Sequence, residues 1–495
     1  MELCDRPNRS LTTLLASRAA KDYHPSVDLA TELEGYSMEL KSRPVTYAEG
    51  GYRLHSADEA LKEIDESLEQ YGIVCKHIPL APYCDLGFQA DCFVGEISER
   101  ERGVGNHMHF GKGSTPLQSL LSGKYETVER ISSCRSAKTQ FVRGTHKTLL
   151  NSGLRAVDPV TFALPGLSEV GRTDSYLSTV RSAYSANASL DWVEVWSVRD
   201  SCYVYLPTCF VNSIHHNDLV NNICHNRPNG LSSGTCLEEA VLGGLLELIE
   251  RDACCLFAIH SLPVPNVDPE SIAIPSVQAF LRNAAIHGVE VTIKNCTTSL
   301  GIPAFCTFLH DPSPDAPRAS SGAGAHISKE IALIRSVAEA CLERAANLWQ
   351  LPSHRSMRPE LIPEKLRWEA TQYTAKALGS GGWRSDYVHQ HKKVQDFADL
   401  PTGSCDDLKE AIEKVLGVLT ESGIGAAYVA DLTQYDIPTV RVVVPDLEFA
   451  PNAWYRVQDP EREQARRLWQ EPLRMGYVEG EDFQYLQGLG NDHLL

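Results

Sequence analysis

Apolar residues recur along the chain with two periods, and the switches between them mark out helices and strands. From Ser56 a helical spacing runs through Leu61, Ile64, Leu68 and Tyr71 and stops at Gly72. Residues 73–75 and 89–95 then read as strands, and residues 191–211 alternate as a hairpin or paired strands. The main apolar-periodic run begins near Leu237. With Glu239 at zero and about 100° per residue, Leu242, Leu245, Leu246, Leu248 and Ile249 fill an arc from about 180° to about 340°. Glu247 falls at about 80° and Glu250 at about 20°, so one face is oily and the other carries a line of carboxylates ending in Glu250-Arg251-Asp252. Further on, 289–294 and 304–309 look like strands, a small-residue stretch at 320–325 leads into a helix, and 406–423, 426–430 and 439–445 read as helix, strand and strand. The alternation is α+β or α/β in character.

This pattern divides the chain into a loosely structured lead-in at 1–50, a main body at 51–450 and a tail at 451–495 that carries a charged helix from Arg462. Within the body, residues 356–404 are polar, with Pro359, Pro363, a glycine cluster at 379–382 and a basic H-Q-H-K-K run, and are expected to form a loop-rich insertion.

A chain of 495 residues can bury a large core. Its net charge of −18 argues against a generic nucleic-acid binder but not against metal-bridged nucleotide binding, which wants clustered acids. Fifteen cysteines lie scattered, with no C-x-x-C pair, so they are expected to be reduced cytosolic thiols rather than a zinc or disulfide framework. Cys254-Cys255 are adjacent on what reads as a buried helical face. No apolar run reaches the about 18 residues of a membrane-spanning helix, and the N-terminus has no secretory h-region, so a cytoplasmic protein is expected. The His215-His216 pair reads as incidental.

The chemistry lies in three motifs. Gly111-Lys112-Gly113 lacks P-loop spacing. Behind it, Ser122, Glu126 and Glu129 fall on one helical stripe that closes with Arg130. The central run repeats that ending: a glycine turn at 229–234, then Glu247, Glu250 and Arg251. A lone E-x-x-E-R is usually a solvated face. Two of them, each behind a glycine turn, suggest carboxylate rows facing each other across a site. Gathered carboxylates repel, at a cost of about a few kcal/mol when partly buried. A hard divalent cation removes that cost, and all-oxygen ligation suits Mg²⁺ bridging to phosphates. The glycine turn offers backbone N–H groups to an anion, and the closing arginines suit phosphate oxygens. In the third motif Arg335 and Glu339 are spaced as an ordinary helical ion pair, with Arg344 about 180° away.

In this order the motifs S-x-x-x-E-x-x-E-R, N-G-L-x-x-G…E-E-A…E-x-x-E-R-D and S-x-G-x-G…A-L-x-R…E, followed by V-R-V-V-V-P-D-L-E at 440–448, resemble the YcaO family over about residues 50–450. The resemblance implies an α+β fold of mixed sheets and helices with an ATP and Mg²⁺ site between helices. It implies an enzyme that phosphorylates a peptide backbone amide oxygen so that a nucleophile attacks the amide carbon, giving azoline, thioamide or amidine products. By motif, Glu126, Glu129, Glu247 and Glu250 would hold Mg²⁺. Ser122, Arg130, Glu239, Arg251, Arg335 and Glu339 would contact or position nucleotide, with Arg53 matched more loosely. The residues name no general base.

Three departures bear on that expectation. Gly234-Thr235-Cys236 stands where the family usually has Gly-Asn-Thr, and Leu342 replaces a common glutamine. The chain ends G-L-G-N-D-H-L-L rather than in a Pro-x-Pro-x-Pro tail, which favours thioamide or another backbone modification over azoline. A peptide or protein substrate is expected, with a separate partner for peptide or sulfur delivery, TfuA-like or ubiquitin-activating-enzyme-like, and family resemblance suggests a homodimer. Thr235 and Leu342 also motivate a different class of function, a catalytically degenerate scaffold or leader-peptide adaptor.

Overall fold

The computed structural model describes residues 38–447 except 49, 97–106, 135–140, 163, 165–169, 171–179, 181, 213–221, 225–227, 261–263, 314–318 and 357–392, together with 470, 471, 474 and 475. It opens with helix α1, Ala57–Gln70, started by a capping box in which Ser56 and Glu59 exchange hydrogen bonds. Strands β1 (Val74–Pro79), β2 (Gln89–Glu96) and β3 (His107–Gly113) follow, then α2, Pro116–Ser132. Thr115 caps α2 by accepting from the Gln118 N–H, and Pro116 takes the first turn, where its missing N–H costs nothing. Next come β4 (Val142–Gly144), α3 (His146–Asn151), β5 (Leu190–Ser197), β6 (Cys202–Pro207), β7 (Leu231–Ser233) and the central helix α4, Leu237–His260. The remainder is β8 (Asn266–Val267), α5 (Pro275–His287), β9 (Glu290–Asn295), β10 (Ala304–His310), β11 (Ala319–Ala325), α6 (Lys329–Ser356), β12 (Val394–Gln395), α7 (Leu408–Glu421), β13 (Tyr428–Asp431) and β14 (Thr439–Val443).

The strands form three sheets: β1-β2-β3, then β11-β10-β9-β8-β12, then β4-β5-β13-β14-β7 with β6 also on β5. The architecture is α+β, as the alternation and the resemblance predict. The hairpin expected at 191–211 is β5–β6, running Trp192 opposite Pro207 through Ser197 opposite Cys202. Of the segment 356–404, residues 357–392 lie outside the described residues. Its C-terminal end is ordered, with Val394 and Gln395 pairing in parallel with Asn266 and Val267. The charged tail helix also lies outside the described residues, apart from 470, 471, 474 and 475. The same holds for the lead-in up to residue 37 and for His215-His216. Residues 38–48 are not loose. Met38, Leu40 and Val45 pack on the main core, and the Lys41 N–H donates to Glu238 at 2.6 Å.

Each sheet face has its helix because strand side chains alternate. On β10, Ala304, Cys306 and Phe308 join the core around α4, while Phe305 and Leu309 join the core of α5 and α6. On β2, Ala90 and Cys92 share a cluster with Ala345 and Ala346 of α6. Phe93, on the other face, lies against Gly123 of α2. Gly322 on β11 lets α6 lie close: a Cβ there would sit 2.2 Å from the Ala340 nitrogen. The helices α2, α4 and α6 thus converge around the end of β7 and β3. Among the described residues no helix is long and apolar enough to cross a membrane.

Candidate functional site

The oily arc of α4 is where its spacing puts it: Leu242, Leu245, Leu246, Leu248 and Ile249 are all buried. The opposite face is not solvated. Glu238, Glu239 and Glu250 are each about as buried as the leucines, with Glu250 3% exposed. Acids buried this deeply each need a partner.

The glycine turn supplies several of these partners. Gly230, held at φ +79°, donates its N–H to Glu247 at 3.2 Å. Ser233 donates both N–H and hydroxyl to Glu129, at 2.9 and 3.1 Å. Thr235 donates its N–H to Glu239 at 3.0 Å. The backbone donors expected to meet an anion therefore meet the protein's own carboxylates, and β7 links the acid row of α2 to that of α4. On α2, Glu126 accepts from the Phe110 N–H of β3 at 3.1 Å and from Arg130 at 2.9 Å. On α4, Arg251 lies 3.1 Å from Glu250 and 3.7 Å from Glu247, and it reaches Glu339 of α6 at 3.9 Å.

Charges within this cluster are unevenly compensated. Burial, reinforced by the Glu126 and Glu247 carboxylates and opposed by Arg130, pushes Glu129 up to about 8. Burial and Glu250 also raise Glu247. Burial acts upward on Glu339 too, but Lys112 and Arg251 outweigh it and hold that carboxyl well below the usual range. Glu250, Glu339 and Glu247 together outweigh desolvation and hold the Arg251 guanidinium charged.

The remaining predicted residues are spread along the helices, Glu239 with Arg53 near the start of α4 and Glu339 beside Arg251 about three turns on. Glu239 is saturated by the Leu54 N–H at 2.6 Å, the Thr235 N–H and the Arg53 guanidinium at 3.7 Å. It fixes the approach of the lead-in and the turn. Ser122 lies half-buried one turn ahead of Glu126. Arg335 donates to the Gly50 carbonyl at 3.3 Å, so the expected Arg335–Glu339 helical pair gives way to partners from other elements. Glu339 instead binds Lys112 of β3 at 2.5 Å. Arg344 turns away, as its angle predicts, to Asp311 at 2.9 Å and Asp85 at 2.5 Å.

Lys112 and the buried Arg441 of β14, which feels both Glu247 and Arg130, were not singled out by motif reasoning. A cation inside the apolar V-R-V-V-V run was the available signal for Arg441. Leu342, one of the departures, packs with Phe110 and Trp349 against the Leu80–Ala90–Cys92 cluster. Thr235, the other, keeps its hydroxyl buried without a hydrogen-bond partner among the described residues, as do the Tyr125 hydroxyl, the Arg251 Nε and the His326 Nε2.

Unmet polar atoms beside an acidic, all-oxygen donor set fit a phosphate-bearing ligand with a hard cation. Among the described residues no three His, Cys, Asp or Glu side chains already converge as metal ligands. The arginines and backbone N–H groups occupy the carboxylate oxygens instead.

Two acid–arginine rows, on α2 and α4, thus meet Glu339 of α6 in one charged cluster. The match to a family model described as YcaO cyclodehydratase, ATP- and Mg²⁺-binding, spans residues 110–448, and the chain belongs to the YcaO family. ATP and Mg²⁺ are the cofactors that go with that family. A protein of Methanothermobacter thermautotrophicus with no described activity is 27% identical over 351 residues, 69% of this chain and 82% of its own length. An uncharacterised protein encoded in the tfuA 3′ region of Rhizobium leguminosarum bv. trifolii is 25% identical over 52% of this chain, which spans 61% of that relative. Among solved structures, a heterocyclase in complex with substrate and cofactor superposes with a TM-score of 0.70 at 22% identity, over 90% of this chain and 57% of its own. The YcaO of Methanopyrus kandleri bound with AMPPCP and Mg²⁺ does so with a TM-score of 0.59 at 19% identity, over 83% and 97%. These superpositions establish the shared fold.

Proposed function

We propose that the protein uses ATP and Mg²⁺ to activate a backbone amide of a ribosomally made peptide or protein, and that the nucleophile is a sulfur species giving a thioamide. The observation that supports the activation half is the gathering of Glu129 with Glu126 and Glu247: desolvation and the two neighbouring charges raise the Glu129 carboxyl to about 8, a repulsion that a divalent cation would relieve. Glu126, Glu129, Glu247 and Glu250 are the residues we assign to Mg²⁺. Ser122, Arg130, Glu239, Arg251, Arg335, Glu339 and Arg53 are assigned to contacting or positioning nucleotide. The bound nucleotide supplies a phosphoryl group that turns the amide oxygen into a leaving group. The chain contributes position and charge: Arg130 and Arg251, fixed by the acids beside them, would meet phosphate charge, and Glu239, about three turns earlier on α4, holds Thr235 and Arg53.

The thioamide half is supported by the relative encoded in a tfuA 3′ region. A separate TfuA-like or ubiquitin-activating-enzyme-like partner would bring peptide or sulfur, and a homodimer is the assembly we favour. The scaffold alternative draws on Thr235, yet a scaffold has no use for carboxylates gathered against their mutual repulsion. The test is turnover of ATP with candidate peptide, sulfide and Mg²⁺. ADP and phosphate released together with a peptide in which sulfur replaces oxygen supports the proposal. Loss of water from the peptide would reassign the product as azoline, and no turnover with any peptide and partner would favour the scaffold.

A further inference from the structure

One turn beyond Glu250 on α4 lies a second cluster that the ATP-binding residues do not use. Cys254, half-buried, has its Sγ 3.1 Å from the Sγ of Cys306 on β10. Cys306 also bonds to the thiol of Cys296, and both Cys254 and Cys306 feel the Glu250 charge. Lys294 stands directly across β9–β10 from Cys306, so the two side chains share the sheet face under α4. Lys294 is 0% exposed, and its Nζ has no partner among the described residues. Its cross-strand neighbour on β8, Asn266, likewise has a buried Oδ1 without one.

A buried ammonium without a counter-charge is expensive. Burial lowers Lys294 to about 8, with Cys296 acting the other way. A small anion beside Nζ would meet that cost, and the side chains gathered on this face include three thiols, those of Cys254, Cys296 and Cys306. At rest both thiols lie well above the usual range: Cys254 is raised by its bond to Cys306 and by burial, whereas Cys306 is drawn down by Cys254 but raised further by Cys296 and by burial.

We propose that Cys254 and Cys306 form a sulfane-sulfur acceptor site, in which Cys254 takes the terminal sulfur from a donor persulfide, Cys306 releases it as sulfide, and Lys294 holds the sulfur anion. In the first step Cys254 Sγ attacks the terminal sulfur of R–S–SH, the donor S–S bond breaks, RSH leaves, and Cys254–S–SH forms. In the second, Cys306 Sγ attacks Cys254 Sγ, giving the Cys254–Cys306 disulfide and HS⁻ with a proton. The sulfane sulfur gains two electrons, one from each cysteine, and a dithiol reductant then restores both thiols. The sulfide appears one helical turn, about 5.4 Å, from the carboxylate cluster. Its use there on an activated amide carbon rests on the function proposed above.

The acceptor step needs neither ATP nor peptide, which allows a separate test. The reduced full chain is treated with glutathione persulfide, released sulfide is measured, and cysteines are mapped by mass spectrometry after alkylation. Mg²⁺-dependent ATP binding is measured on the same preparations. Sulfide release with a Cys254–Cys306 disulfide is expected. In Cys306→Ser the release is lost and Cys254 retains the extra sulfur. In Cys254→Ser both are lost, and in Lys294→Met, which keeps the fold by removing an unpaired charge, sulfide release slows. The wild type alone decides the matter if a variant fails to fold. Sulfur spread over other cysteines with none on Cys254, or release unchanged without Cys254, overturns the inference. If ATP binds while Cys254 takes no sulfur, the inference fails and the amide-activating function stands. If sulfur loads while ATP does not bind, the reverse holds.

Discussion

At the residue scale, the behaviour of single carboxylates separates a binding site from a surface helix. Glu129 has a folded-state pKa raised above its unfolded value, so between about 4.5 and about 8 the folded protein binds the extra proton. Stability from this group is therefore lost as pH rises through that window. Glu129→Gln is expected to stabilise the cofactor-free protein by on the order of 2 kcal/mol at pH 8 and by little at pH 5. Thermal unfolding of both proteins across that range, without Mg²⁺, checks this, and a pH-independent difference would contradict it. Glu339 carries the opposite sign: its depressed pKa gives stability that is present above the unfolded carboxylate value and lost as pH falls through the folded one.

At the element scale, the site depends on α2, α4 and α6 being held close against strands. Gly322→Ala places a methyl group 2.2 Å from the backbone of α6 and must move that helix, which carries Arg335 and Glu339. A loss of about 1–3 kcal/mol is expected, with weaker ATP binding, as measured by denaturant unfolding and calorimetry. Arg344, on the far side of the same helix, gives the contrast. Arg344→Ala strips a buried cation from Asp311 and Asp85 and is expected to cost about 3–5 kcal/mol while leaving ATP affinity unchanged in the protein that remains folded. Much of this arrangement was legible from periodicity. The arcs of α4 and α2, the β5–β6 pair and the turn of Arg344 away from the site all followed from counting residues. The glycine turn was legible as an anion binder, but its anions were not, since only the packing of β7 between α2 and α4 brings Ser233 to Glu129 and Gly230 to Glu247. Lys112 and Arg441 escaped for the same reason: a lone cation on a strand acquires meaning only from the helix that the sheet places over it.

At the scale of the whole molecule, three sheets and the helices between them gather residues from 53 to 441 into one charged cluster. No local pattern specifies this; it follows from the burial of Glu238, Glu239 and Glu250 on α4, whose acid face must find partners from several distant segments. That cluster is the proposed Mg²⁺–nucleotide site. Calorimetric titration of ATP into the wild type and Glu250→Gln, each with and without Mg²⁺, tests it most directly. The prediction is binding by the wild type that requires Mg²⁺ and is lost in Glu250→Gln while the variant remains folded. Equal binding by the two proteins, or wild-type binding indifferent to Mg²⁺, would contradict it.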